Sequence, residues 1–199
     1  MSPSIFLSLL PFAAVMSITP GPNNLMVAAS GVNFGFKRTI PHMIGVAVGF
    51  PVLLMAVGFG LGAVILSHPL LQMALKYGGC AYLLYTAFKL ATATAVKDLD
   101  APLKPLSFFE AAAFQWINPK AWVMGISMMA IFNNLGLDRT MQIAFMSGLL
   151  GGMGGIAVMI WTAFGALIAE RLKVPRTLRL FNVTMAVLLV ASLVPVVLH

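Results

Sequence analysis

The chain has 199 residues, 60% of them hydrophobic and only 9% charged, with a mean hydropathy of +0.98. A soluble domain carries roughly a quarter of its residues charged, so there is too little polar surface here to coat a water-soluble globule. The formal charge of +7 sits in short loops between apolar runs, a pattern that argues against a nucleic-acid surface and matches a membrane face turned to the cytoplasm.

Reading for apolar stretches long enough to cross a bilayer, about 20 residues each, gives six runs: 4–30, 41–66, 71–95, 107–132, 140–168 and 179–198. The start, Met-Ser-Pro-Ser, lacks the basic segment of a secretory signal, so the first run is read as mature protein. These runs predict an all-α integral membrane protein in one domain, 1–199.

The first run contains Thr19-Pro20-Gly21-Pro22-Asn23-Asn24. Two prolines withhold backbone donors from the carbonyls of Met16 and Ile18, and lipid offers the asparagines no partners. Thr19 and Pro20 read as N-cap and first residue of a new half-helix, with Asn23 and Asn24 in its first turn. A bare kink is the alternative for either proline taken alone.

His42 opens the second run, where Gly45 and Gly49 are spaced for close helix packing. A lone His there reads as structural or interfacial, with proton coupling as the functional alternative. The third run holds Cys80, read as a small packing residue because one cysteine builds neither disulfide nor metal site. Tyr77, Tyr82 and Tyr85 read as packing or belt residues.

In the fourth run the break recurs: Asn118 as cap, Pro119 at the first helical position, the carbonyl of Gln115 freed, and Lys120 next. Lys120 lies about twelve residues into the run, ~18 Å at 1.5 Å per residue, a depth at which a charge is functional by default. The alternative is an interfacial helix over 106–117 with Lys120 snorkelling to the surface. Trp116 and Trp122 flank the break. The fifth run carries "GLLGGMGG" at 148–155, giving the spaced pairs Gly148/Gly152 and Gly151/Gly155.

Nine of the twelve bases, Lys37, Arg38, Lys89, Lys97, Lys104, Arg171, Lys173, Arg176 and Arg179, fall on alternate loops. The positive-inside rule places that face in the cytoplasm and both termini outside. Three spans followed by three must invert the second half. The order of breaks, of Gly35-Phe36-Lys37-Arg38-Thr39 against Gly136-Leu137-Asp138-Arg139-Thr140, and of glycine-rich second spans echoes between halves. Two inverted three-helix repeats are expected, about 1–96 and 106–199, each with a Pro-broken first helix and joined by a cytoplasmic linker at 97–105.

Two half-helix N-termini facing each other suit an anion, and Lys120 adds a full charge. Freed carbonyls and asparagine oxygens beside them suit an ammonium, so a small zwitterion is the expected cargo. No Walker loop, HExxH or metal-ligand cluster is seen, so no enzyme chemistry, cofactor or metal is expected, and no acid lies mid-run to carry protons.

The "TPGPN" at 19–23, the "GF" at 35–36 followed by bases, the glycine-rich second run and "NPKAW" at 118–122 resemble the LysE/RhtB family of amino-acid exporters, over essentially the whole chain. The resemblance is closer to the RhtB-type branch, which exports neutral amino acids and cysteine-pathway metabolites. It implies a bacterial inner-membrane secondary transporter driven by the proton-motive force. Carried over by motif, Pro20, Gly21, Pro22, Asn23, Asn118, Pro119 and Lys120 become site residues. Thr19, Asn24 and Gln115 join them from the reading above; the coupling is open between antiport through Lys120 or His42, a proton carried by the substrate, and flux driven by the membrane potential. The expected partners are a small-molecule substrate and the lipid bilayer, with self-association left open. The rival readings are a non-transporting membrane subunit and an exporter of another solute or ion.

Overall fold

The computed structural model describes residues 3–92, 104–132, 135–172 and 174–194, and these are helical without strands. The linker expected at 97–105 lies outside the described residues as far as 103.

Each apolar run becomes helix. The first gives α1 (Pro3–Ile18) and α2 (Pro22–Phe34), separated by Thr19–Gly21. The second gives α3 (Phe36–Ala56), which continues through a π-helical turn (Val57–Leu61) into α4 (Gly62–Ser67). Gly60 takes φ 118° in that turn, a conformation that only glycine adopts cheaply. The third run is α5 (Pro69–Thr92). The fourth is α6 (Phe108–Phe114), a 3-10 turn over Gln115–Ile117 and α7 (Pro119–Ile131). The fifth is α8 (Arg139–Ile168), extended by a 3-10 turn, and the sixth is α9 (Pro175–Ala191).

Two continuous segments, Phe36–Ser67 and Arg139–Leu172, are long and apolar enough to cross a membrane, at 32 and 34 residues. At 1.5 Å per residue they are ~48 and ~51 Å long, more than a hydrocarbon core of about 30 Å requires. Much of the outward surface is oily: Leu167 is 79% exposed and Val187 60%. Water would penalise such a surface, whereas lipid accommodates it.

The packing follows from small residues. Helices α1 and α2 both lie along α8, while α6 and α7 both lie along α3. Helices α3 and α8 pack together at the centre, and α5 packs on α9. A side chain at Gly31 would collide with the Thr162 carbonyl, and one at Gly165 with the Ala28 carbonyl, so α2 and α8 touch backbone to backbone. Gly45 and Gly49 do the same for α6, meeting Phe108, Ala111 and Ala112, and Gly151 receives Pro51. Not every spaced glycine packs: Gly148 and Gly152 have nothing within 4 Å and face outward. The reason is geometric, since the stripe through Gly151 already fills the side of α8 that meets α3.

Candidate functional site

The first break starts one dipeptide later than the sequence reading placed it. Gly21, not Thr19, is the N-cap of α2, and Pro22, not Pro20, is its first residue. Thr19 instead closes α1, its amide bonding Val15 O at 3.1 Å and its hydroxyl donating to Met16 O at 3.1 Å. Both Thr-Pro and Gly-Pro satisfy the local start rule. Asn24 decides between them, because its Nδ2 donates to Ser17 O at 2.7 Å and Thr19 O at 2.9 Å, pinning α2 to the end of α1. Pro20 is exposed and Pro22 buried.

The second break matches the expected cap. Asn118 is the N-cap of α7, its side chain accepting from Lys120 N at 3.2 Å, with Pro119 next.

The carbonyls that proline releases are not left for a ligand. Met16 O takes the Thr19 hydroxyl, Ile18 O takes Trp161 Nε1 at 3.0 Å, and Gln115 O takes Asn118 N at 3.3 Å. The amides of Ala121 and Trp122 return to Asn118 O, so the α7 terminus is largely satisfied internally. Unpaired backbone polar groups are expensive away from water, and the protein has closed them itself. That removes the freed carbonyls as acceptors for a substrate amine.

The two breaks are bound to each other. Lys120 Nζ donates to Thr19 O at 2.8 Å and to Thr19 Oγ1 at 2.9 Å. Asn23 and Gln115 exchange amide hydrogen bonds, Nδ2 to Oε1 at 2.8 Å and Nε2 to Oδ1 at 3.1 Å. Gln115 is completely buried and also donates to Ala111 O at 2.9 Å. Lys120 is half-buried and turned inward, so it does not snorkel. Gly21 makes the approach possible, because a Cβ there would stand 2.6 Å from Lys120 Cδ.

Beside these contacts is a cavity lined by Ser17, Asn23, Asn24, Asn118 and Lys120, with Phe50 and Met124 among its apolar walls. Its open space is about 30 Å³, against ~10–15 Å³ for one water on the same measure. That is room for about two waters and too tight for an amino acid. Ser17 was missed by the sequence reading. Its buried hydroxyl has no hydrogen-bond partner among the described residues, yet one serine in an apolar run carries no local signal.

His42 is not part of this site. It is 1% exposed, and it lines a different cavity with Lys89, Lys104 and Glu110. Trp122 is buried and donates from Nε1 to Trp116 O at 2.8 Å, bracing the second break.

The decisive comparison is with known sequences. Residues 14–196 match the LysE type translocator family. The chain belongs to that family. As a LysE type translocator it is an integral membrane transporter and not an enzyme. It is 26% identical over 194 residues to proteins named cysteine/O-acetylserine efflux protein from Escherichia coli (strain K12), Shigella sonnei (strain Ss046) and Salmonella choleraesuis (strain SC-B67), with 96% of each chain covered. No solved structure matches this LysE type translocator.

Proposed function

We propose that the protein exports small neutral or polar amino acids and related metabolites, of the cysteine and O-acetylserine kind, across a bacterial inner membrane under the proton-motive force. The observation that carries this reading is the Lys120–Thr19 bridge between two helix breaks. An ammonium has three donors. Thr19 uses two, and the third is available to the cavity that Lys120 lines.

In this mechanism the substrate carboxylate joins Lys120, a charge-assisted contact stronger than the neutral ones it competes with. Drawing the ammonium off Thr19 loosens the link between the breaks, and the tight cavity widens around the ligand. Asn23, Asn24 and Asn118 orient the substrate. Ser17 offers an unused hydroxyl to its amine or side chain. Where a proton gradient acts through the protein, Lys120 or His42 is the group that would carry it.

The fold is proposed to be six spans in two inverted three-helix repeats. Several features support it. Each half has a 13-residue half-helix beginning on proline, α2 and α7. Each half-helix is followed by a glycine of positive φ, Gly35 at 79° and Gly136 at 70°. The broken helix of each half lies on the long helix of the other half, the reciprocal contact expected where two inverted repeats meet around a shared site. With the basic loops in the cytoplasm, both termini lie outside.

The test is counterflow of labelled amino acids in proteoliposomes, with membrane potential and pH gradient imposed in turn. Saturable flux is expected for one chemical class, and Lys120→Met should abolish it while the protein still inserts. Normal flux from that variant at equal abundance removes Lys120 from the site. No flux for any amino acid from folded protein overturns the exporter reading in favour of a membrane subunit or another cargo.

A further inference from the structure

A second cavity, of about 310 Å³, opens between α2, α3, α5 and α6. It is ten times larger than the space between the breaks, and the two share no lining residue. They are stacked along α2: Asn23 borders one and Ser30 the other, seven residues or ~10 Å apart along the helix. The larger volume lies at the lower end of the ~300–1,000 Å³ typical of small-ligand pockets.

Its polar groups are separated by sign and depth. Lys89 and Lys104 are exposed at the rim. Glu110 stands within electrostatic reach of both Lys89 and His42. Its Oε2 accepts from the Ser107 amide at 2.8 Å, which fixes the carboxylate in place and leaves the other oxygen open. His42 forms part of the deep wall. It is 1% exposed, and neither ring nitrogen has a hydrogen-bond partner among the described residues. Burying a polar group unpaired is unfavourable by about 1–3 kcal/mol; both nitrogens are closed off from the cavity's open space in this conformation, and a ring turned toward a polar ligand would regain a partner.

We propose that this cavity is a second binding site for the zwitterion, from which the substrate passes along α2 to the space between the breaks. The ligand carboxylate lies toward Lys89 and Lys104, its ammonium lies at Glu110, and its polar side chain hydrogen-bonds His42. The proposal rests on the amino-acid export reading, and on that reading's orientation the cavity faces the cytoplasm, because Lys104 and Lys89, in the last turn of α5, belong to the basic face.

The experiment is protection of an introduced cysteine from a maleimide by O-acetyl-L-serine, which has no thiol to consume the reagent. Thr86→Cys reports the larger cavity, and Ser17→Cys the space between the breaks, each in a Cys80→Ala background. The Thr86 hydroxyl bonds within its own helix, to Tyr82 O, so that change is mild. O-acetylserine should slow modification at Thr86→Cys several-fold, equally with Lys120 intact and with Lys120→Met. Protection there should vanish in the Lys89→Gln/Glu110→Gln double variant and weaken in His42→Phe, which keeps an aromatic ring and removes both nitrogens. Protection at Ser17→Cys alone, or protection at Thr86→Cys that disappears with Lys120→Met, overturns the second site and leaves the exporter reading standing. Protection at neither position overturns both.

Discussion

Lys120 reaches across 101 residues of sequence to place its ammonium on the carbonyl and hydroxyl of Thr19, at 2.8 and 2.9 Å. One side chain thereby ties the end of α1 to the start of α7 and closes the space that the export reading assigns to substrate. If a carboxylate competes with Thr19 for that ammonium, weakening the Thr19 side should favour the ligand. Thr19→Val keeps the shape and removes the hydroxyl. A hydrogen bond to a charged group is worth about 1.5–3 kcal/mol, so the unliganded protein should melt lower while substrate binds more tightly. Thermal unfolding and counterflow KM on the same preparation separate the cases. A lower melting point with an unchanged KM makes the bridge merely structural.

Gly21→Ala probes the same contact from the other side. The backbone there is extended, with φ −171°, so alanine introduces no conformational strain. Its Cβ would lie 2.6 Å from Lys120 Cδ and 3.0 Å from Nζ, and the flexible lysine, not the helix, gives way. The expected result is normal insertion and near-normal melting with flux down roughly tenfold, the equivalent of 1.4 kcal/mol at the site. Unchanged flux shows that the position of the Lys120 ammonium is unimportant.

Much of this was legible in the sequence, and the part that was not has identifiable causes. The six apolar runs and both breaks were readable because proline and asparagine in lipid demand an explanation. The start of α2 was misplaced by two residues because the rule for helix starts is local. The bonds that settle the start, from Asn24 to Ser17 O and Thr19 O, depend on how α1 and α2 meet. The Asn23–Gln115 pair spans 92 residues and has no local signature. Gly31 and Gly165 were overlooked because each pairs with a partner on another helix rather than with a second glycine four residues away. The His42 cavity is walled by four helices, and no single stretch of sequence encodes it.

The glycines provide a sharp contrast. Alanine at Gly31 or Gly165 places a methyl on the carbonyl of Thr162 or Ala28. Backbone cannot step aside as a side chain does, so each change should destabilise by about 1–3 kcal/mol. Gly148→Ala and Gly152→Ala meet open space and should leave melting unchanged or slightly raised, since alanine favours helix by up to about 1 kcal/mol. Melting of the four variants in detergent tests the pattern. Equal destabilisation by all four would mean that the outward face of α8 is packed too.

The Asn23–Gln115 exchange invites a double-mutant cycle. Gln115 is fully buried and Asn23 half-buried, so removing either amide strands the other away from water, at about 1–3 kcal/mol. Removing both strands neither. Asn23→Ala with Gln115→Ala should therefore destabilise by less than the sum of the singles, with a coupling of roughly 0.5–3 kcal/mol. Part of the Gln115 effect is separate, because its Nε2 also serves Ala111 O, and this portion should survive in the Asn23→Ala background. Flux gives a second reading of the same cycle. If the pair only braces the two breaks, flux should follow stability across the four proteins. If Asn23 also orients substrate, Asn23→Ala should lose flux out of proportion to its melting point while Gln115→Ala does not. Additive destabilisation in the cycle would mean that the two amides do not depend on each other, and the breaks would then be held together by Lys120 alone.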